Sequence, residues 1–173
     1  MDQNRMIQLV KKLFGNASIG ITDKQAELFS RYYRLIVENN DDNDLTRIKG
    51  EENFITRHFI DSVYYTKFIS LPPSLVDIGT GAGFPGIPLK IMYPELKLVL
   101  AEQRSRRVEF LKLAVKSLGL ENVEFYPHKV TDKSFFNVEG GITRALEDAP
   151  ETLTRVHHFL PENSKLLQPI SRF

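Results

Sequence analysis

The stretch Leu75–Leu89, "LVDIGTGAGFPGIPL", decides the fold. A short apolar run is followed by four glycines and two prolines. Such a run reads as a buried strand, and the glycines let the turn after it take up positive φ and approach a ligand closely. Two ligand patterns fit. "GAGFPG" (Gly81 to Gly86) matches the G-x-G-x-x-G of a dinucleotide site. "DIGTGAG" (Asp77 to Gly83) matches the D-x-G-x-G-x-G of a site for S-adenosylmethionine. A tight turn holding no ligand is the third reading.

Outward from this stretch toward the C-terminus, short strands and helices alternate. "KLVLAE" (Lys97 to Glu102) is a second buried strand. "SRRVEFLKLAVKSLG" is a helix with Val108, Leu111, Val115 and Leu118 on one face and Gly119 suited to end it. "NVEFY" is a third strand, a fourth lies around "GITRAL", "ETLTRVHHFL" is a helix, and "KLLQP" starts a fifth strand. This alternation predicts an α/β, Rossmann-like, doubly wound and mostly parallel sheet. Its ligand would sit outside the carboxyl ends of the strands. That brings the glycine turn, Glu102, the "HKVT" turn (His128 to Thr131) and Arg144 to one crevice.

Toward the N-terminus the pattern is helical over residues 1–70. "TDKQ" (Thr22 to Gln25) is a capping box, and Leu28, Tyr32, Leu35 and Ile36 then share a face. "ENNDDNDLT" (Glu38 to Thr46) reads as a loop, and Phe54, Ile55, Phe59 and Val63 mark another helix. "SLPPS" (Ser70 to Ser74) breaks the pattern, so a helical region 1–70 and a Rossmann-like domain 71–173 are expected.

Composition narrows the chemistry. The 173 residues hold no cysteine, which removes thiolate nucleophiles, disulfides and cysteine-rich zinc sites and fits the cytoplasm. No apolar run approaches the ~18 residues of a membrane span. The start, "MDQNRMIQLVKKLF", is too charged for a secretory signal and reads as an amphipathic helix. A net charge of +1 leaves any nucleic-acid binding to a local patch, such as Arg104 to Arg107 with Lys112 and Lys116. The same run also fits an ordinary solvated face. His157 and His158 point to different faces of their helix and lack partners at metal spacing, so no metal is expected.

Three features favour S-adenosylmethionine over NAD. Asp77 lies inside the strand, where its carboxylate must be hydrogen-bonded and can order the turn. Glu102 ends the second strand and can accept from both ribose hydroxyls, a feature NAD sites share. Pro85 and Pro88 remove N–H donors that a pyrophosphate would use.

The segment from Leu75 to Val130 resembles the glucose-inhibited division protein B family, methyltransferases of guanine N7 in 16S ribosomal RNA. "DNDLTRI" (Asp42 to Ile48) and "FITRHFIDSV" (Phe54 to Val63) are similar to its N-terminal signature, and "GGITRAL" (Gly140 to Leu146) to its Ser-Arg-Ala segment. The resemblance runs from about Phe29 to Leu167. It implies that Gly79 and Phe84 line the methyl-donor site, that Gly81 and Gly83 shape the turn, and that Glu102 holds the ribose. It places Val130 and Thr131 beside the adenine and makes Arg144 the arginine contacting ligand or substrate. Lys129 falls where an arginine is common, and Arg57, His58 and Asp61 match the "RH…DS" element. Departures are Glu38-Asn39 for Trp-Asn, Asp44 for the Asn of N-L-T, and Thr143 for Ser. The chain ends at "LLQPISRF" where the family continues for several tens of residues toward a seven-stranded sheet, so a shortened member or a missing final hairpin is expected.

The expected activity is methyl transfer from S-adenosylmethionine to a guanine N7 of small-subunit ribosomal RNA, by a cytoplasmic monomer with the RNA or the subunit as partner and no membrane. A sulfonium leaves without acid catalysis and N7 carries no proton, so in-line positioning suffices. A methyltransferase for another substrate, a non-catalytic binding protein and an NAD-dependent oxidoreductase are the alternatives. For Arg144, the competing reading is an exposed side chain paired with Glu147 or Asp148.

Overall fold

A computed structural model of the chain describes residues 2–144 and 165–167. At its centre is β1 (Ser74–Ile78), with β2 (Lys97–Ala101) and then β3 (Val123–Tyr126) on one side. On the other side lie β4 (Gly140–Thr143) and β5 (Lys165–Leu167). Every pairing is parallel. The expected Rossmann-like sheet of about five strands is therefore present. A central parallel strand is covered on both faces, which is why β1 is buried at every position.

The two-residue period of a strand assigns the faces. Leu75, Leu98 and Leu100 join one core with α5 (Gly86–Met92), α6 (Ser105–Leu118) and the helical N-terminal region. Val76, Ile78 and Ala101 point the other way, onto Val130, Phe136 and Val138. Asp77 shares the face of Leu75, so its carboxylate is aimed at the start of α5.

The helical region is α1 (Gln3–Asn16), α2 (Asp23–Asn43) and a composite helix. The last joins α3 (Glu51–Phe54), a π turn (Ile55–Ile60), α4 (Asp61–Val63) and a 3₁₀ turn (Tyr64–Lys67). The Thr22–Gln25 capping box forms as expected. The loop expected from Glu38 does not: α2 runs on to Asn43, with Asp44 left-handed after it. Its asparagines fold back instead of breaking the helix. Asn39 and Asn43 each donate to the carbonyl four residues earlier, at 2.8 Å, and the Asn40 amide oxygen accepts from the N–H groups of Leu45 and Thr46.

The expected basic face of α6 is committed at its N-terminal end. Arg106 and Arg107 donate to carbonyls of Asp42, Asn43 and Asp44, and Arg104 and Arg107 face the Asp44 carboxylate at 3.9 and 3.3 Å. Arginines thus meet the orphan carbonyls and negative dipole end of α2. The other tie is aromatic. Phe29 packs on Phe14 and on Phe59, each with centroids 4.9 Å away, and Tyr32 lies 5.6 Å from both Phe59 and Phe84. The fully buried Tyr32 hydroxyl donates to the Ala82 carbonyl in the glycine turn. Tyr32→Phe leaves that carbonyl without its donor and should cost about 1–3 kcal/mol. Urea unfolding should show a lower midpoint at unchanged slope.

Candidate functional site

The turn after β1 lies against the end of β2. The N–H groups of Gly79 and Thr80 both donate to the Ala101 carbonyl, at 2.9 and 3.1 Å. Gly79, Gly81 and Gly83 all have positive φ, of 67°, 60° and 100°. At Gly83 space is decisive as well, since a Cβ there would lie 2.5 Å from the Tyr32 hydroxyl and 2.6 Å from Ile87 Cδ1. At Gly86 a Cβ would meet Asp77 Oδ2 at 2.7 Å.

Asp77 is fully buried, and its Oδ2 accepts from the Thr80 hydroxyl at 2.6 Å and from the Gly86 N–H at 2.7 Å. Oδ1 is buried with no partner among the described residues. Burial raises the Asp77 pKa to about 6, with the two hydrogen bonds and the Arg144 charge opposing it. Glu102 is also buried. Its Oε2 accepts from Gly81 N–H at 3.1 Å and its Oε1 from Arg104 N–H at 2.8 Å, so one carboxylate joins the glycine turn to the start of α6. Asp77, the glycines and Glu102 are thus brought together. Val130 packs beneath the strand ends with Ile78 and Ala101. Thr131 shapes the next turn, its N–H donating to Ser134 Oγ at 2.9 Å.

Phe84 faces the helical region. Its ring stacks on the His58 imidazole, with centroids 4.3 Å apart and planes 3° from parallel, and it keeps 5% of its surface exposed. Arg144 follows β4 and turns to the same place. It donates to the Arg57 carbonyl at 3.0 Å and to His58 Nδ1 at 3.0 Å, with Asp61 Oδ2 at 3.8 Å and the Phe84 ring centroid at 5.3 Å. Its side chain is 17% exposed, so it is a docked arginine and not a free one. Glu147 and Asp148, like His157 and His158, lie outside the described residues. His58 Nε2 lies 2.7 Å from Thr46 Oγ1. Burial, and then the Arg144 charge, lower the imidazole pKa to about 3, so it is neutral at pH 7.

The union of Thr46, His58, Asp61, Phe84 and Arg144 is absent from any local sequence pattern. Its trace is that the five residues fall in four of the quoted motifs, with His58 and Asp61 sharing "FITRHFIDSV". A cavity of about 500 Å³ runs along the β2–β3 side of the sheet, from Ser74, Lys97 and Asn122 to Tyr126, with Phe136 and Val138 also lining it.

The sequence model of the family described as rRNA small subunit methyltransferase G matches residues 25–168. The chain belongs to that family. Ribosomal RNA small subunit methyltransferase G 2 of Bdellovibrio bacteriovorus is 39% identical over 136 residues, covering 79% of this chain and 53% of that protein. The methyltransferase G of Carboxydothermus hydrogenoformans is 44% identical over 115 residues, covering 66% and 49%. The chain thus spans about half the length of these two curated relatives. Among solved structures, coclaurine N-methyltransferase, bound to N-methylheliamine and S-adenosylhomocysteine, aligns with a TM-score of 0.58 at 11% identity, covering 97% of this chain and 58% of that one. An S-adenosylmethionine-dependent methyltransferase from Aquifex aeolicus gives 0.54 at 19% identity, covering 66% and 65%. These likenesses establish the Rossmann-like fold.

The raised Asp77 pKa has a sign that can be tested. The folded protein holds this proton more tightly than the unfolded chain, so Asp77 lowers stability as pH rises from about 4 to about 6. In Asp77→Asn that contribution is gone. Thermal unfolding of both proteins across this window should show the wild type falling relative to the variant, and parallel curves would contradict the assignment.

Proposed function

We propose that the protein binds S-adenosylmethionine at the carboxyl ends of β1, β2 and β4 and transfers its methyl group to N7 of a guanine in 16S ribosomal RNA. The observation that carries this reading is the glycine turn held between two buried carboxylates, Asp77 and Glu102, in a chain of this family. No helix among the described residues is long and apolar enough to cross a membrane. A cytoplasmic monomer acting on ribosomal RNA or the small subunit fits, with residues 1–70 as a cap on a cofactor-binding domain, 71–173.

The residues present fit the cofactor. Each Glu102 oxygen accepts one backbone N–H, leaving lone pairs for two ribose hydroxyls. Gly79, Gly81 and Gly83 give a backbone wall, Val130 and Thr131 the adenine side, and Phe84 backs Arg144. Asp77 adds a buried acceptor, Oδ1, with no protein donor among the described residues. When bound, S-adenosylmethionine supplies an electrophilic methyl on a good leaving group. The protein then has to orient guanine N7 in line and exclude water, and needs no acid or base. Arg144, a donor-only group beside the turn, is assigned to hold the ligand or the guanine. Mapping N7-methylguanosine in 16S ribosomal RNA with and without the protein tests the whole reading. Cofactor binding without transfer to naked RNA or 30S particles would leave a binding protein.

Glu102→Ala should weaken S-adenosylhomocysteine binding by about 1.5–3 kcal/mol, the scale of hydrogen bonds to a charged acceptor. Isothermal titration calorimetry measures it, and unchanged affinity in a folded variant would remove Glu102 from the site.

A further inference from the structure

Arg144 is a long side chain with considerable rotamer freedom to lose, yet it lies docked between four groups of the 54–84 region. Three of its neighbours give it a surface and a charge: the Arg57 carbonyl, the Asp61 carboxylate and the Phe84 ring. The fourth, His58 Nδ1, gives it a direction. A guanidinium only donates, so Nδ1 must be the acceptor and carry no proton. A neutral imidazole then has its proton on Nε2, where Thr46 Oγ1 lies 2.7 Å away. The same Oγ1 accepts from the Ile48 N–H at 3.1 Å. The Ile48 N–H therefore holds the Thr46 oxygen in place, the donor-only Arg144 selects the tautomer with Nδ1 unprotonated, and Thr46 Oγ1 has a second lone pair to accept the Nε2–H of that tautomer. Stacking on Phe84 and the edge contact with Phe54, at 4.7 Å, stop the ring from turning over.

We propose that His58 is a positioning residue for methyl transfer: its unprotonated Nδ1, with the opposite Nε2–H accepted by Thr46, orients the Arg144 guanidinium and leaves the N–H groups not turned to Arg57, His58 or Asp61 for the crevice. This rests on the function proposed above. Two of the five N–H groups are used on Arg57 and His58, and Nη1 also faces Asp61 Oδ2 at 3.8 Å, so the N–H groups outside these contacts are the ones a ligand or a guanine would meet. Pre-setting the fork removes its ordering from the reaction step. A plain packing role for His58 would need the ring and neither nitrogen.

Two substitutions separate the roles. Both His58→Asn and His58→Gln lose the ring and its stacking. Asparagine places its amide oxygen where Nδ1 was, one bond from Cγ, whereas glutamine places a polar atom near Nε2 and leaves the Nδ1 position empty. Turnover of small-subunit ribosomal RNA at saturating cofactor should fall about 10- to 100-fold in His58→Gln, the scale of one lost hydrogen bond to a charged group. His58→Asn should recover the larger part at similar thermal stability. Nitrogen-15 NMR of the unmutated 173-residue chain should show His58 as the Nε2–H tautomer and a protected Arg144 guanidinium, kept in His58→Asn and lost in His58→Gln. An Nδ1–H tautomer or an imidazolium at neutral pH would overturn the proposal, even if neither variant folds. So would equal turnover in the two variants, or losses that follow their stabilities. If the unmutated chain transfers no methyl to the RNA, the functional reading falls. The positioning of Arg144 is then decided by the NMR comparison: a guanidinium protected in the Asn variant and released in the Gln variant sustains it, and identical behaviour defeats it.

Discussion

A carboxylate in the middle of a parallel sheet has to find donors, because water cannot reach it. Asp77 is that carboxylate, and the form of the crevice follows from how it is satisfied. Its Oδ2 takes a hydroxyl from Thr80 and an N–H from Gly86, which closes the turn over the strand end and sets the start of α5. The short reach to the backbone is possible only because residue 86 has no side chain, a Cβ there falling within 2.7 Å of the same oxygen. The ligand pattern D-x-G-x-G-x-G is thus also a folding pattern. The aspartate orders the glycines before any ligand arrives.

The helical region is part of the site's construction. Tyr32 reaches from α2 into the turn at Ala82, and Phe84 leaves the turn to stack on His58. Either contact alone would be ordinary packing. Together they make the turn a shared element of both segments, with residues of 6–63 and of 75–142 in one core. The arginines at the start of α6 complete the enclosure by capping the far end of α2, whose carbonyls are unpaired by the geometry of a helix.

β1 and β2 were legible because each is a short run rich in apolar residues between turn residues, and α6 because four apolar residues recur at helical spacing. The capping box was legible for the same reason: its two partners are three residues apart. The last turns of α2 were not, since asparagine and aspartate favour turns, and only the folded chain shows Asn39 and Asn43 bonding back along the helix. The surroundings of Arg144 lie beyond any window. Arg57 and His58 are more than 80 residues from it, and the π turn exposes Arg57 while burying His58 through Ile60. The need for a glycine at 83 is not local either: the atoms a Cβ there would meet are those of Tyr32 and Ile87.

The distribution of charge suits a cationic methyl donor better than a pyrophosphate. Asp77 and Glu102 flank the turn where the donor is proposed to lie, and both are buried, so their fields are weakly screened. A sulfonium placed between them gains from that field, while a diphosphate would be repelled. Arg144 would oppose the sulfonium if its charge stood alone. It does not stand alone, because Asp61 lies 3.8 Å from it and is itself buried. The guanidinium can therefore serve as a planar set of donors while much of its charge is balanced from the helical side. His58 fits the same scheme by being neutral, since an imidazolium at that position would add a second positive charge against Arg144 and remove the acceptor that holds it. The motifs of the N-terminal region supply that balance, which ties the part of the chain without a glycine turn to the chemistry proposed for the part that has one.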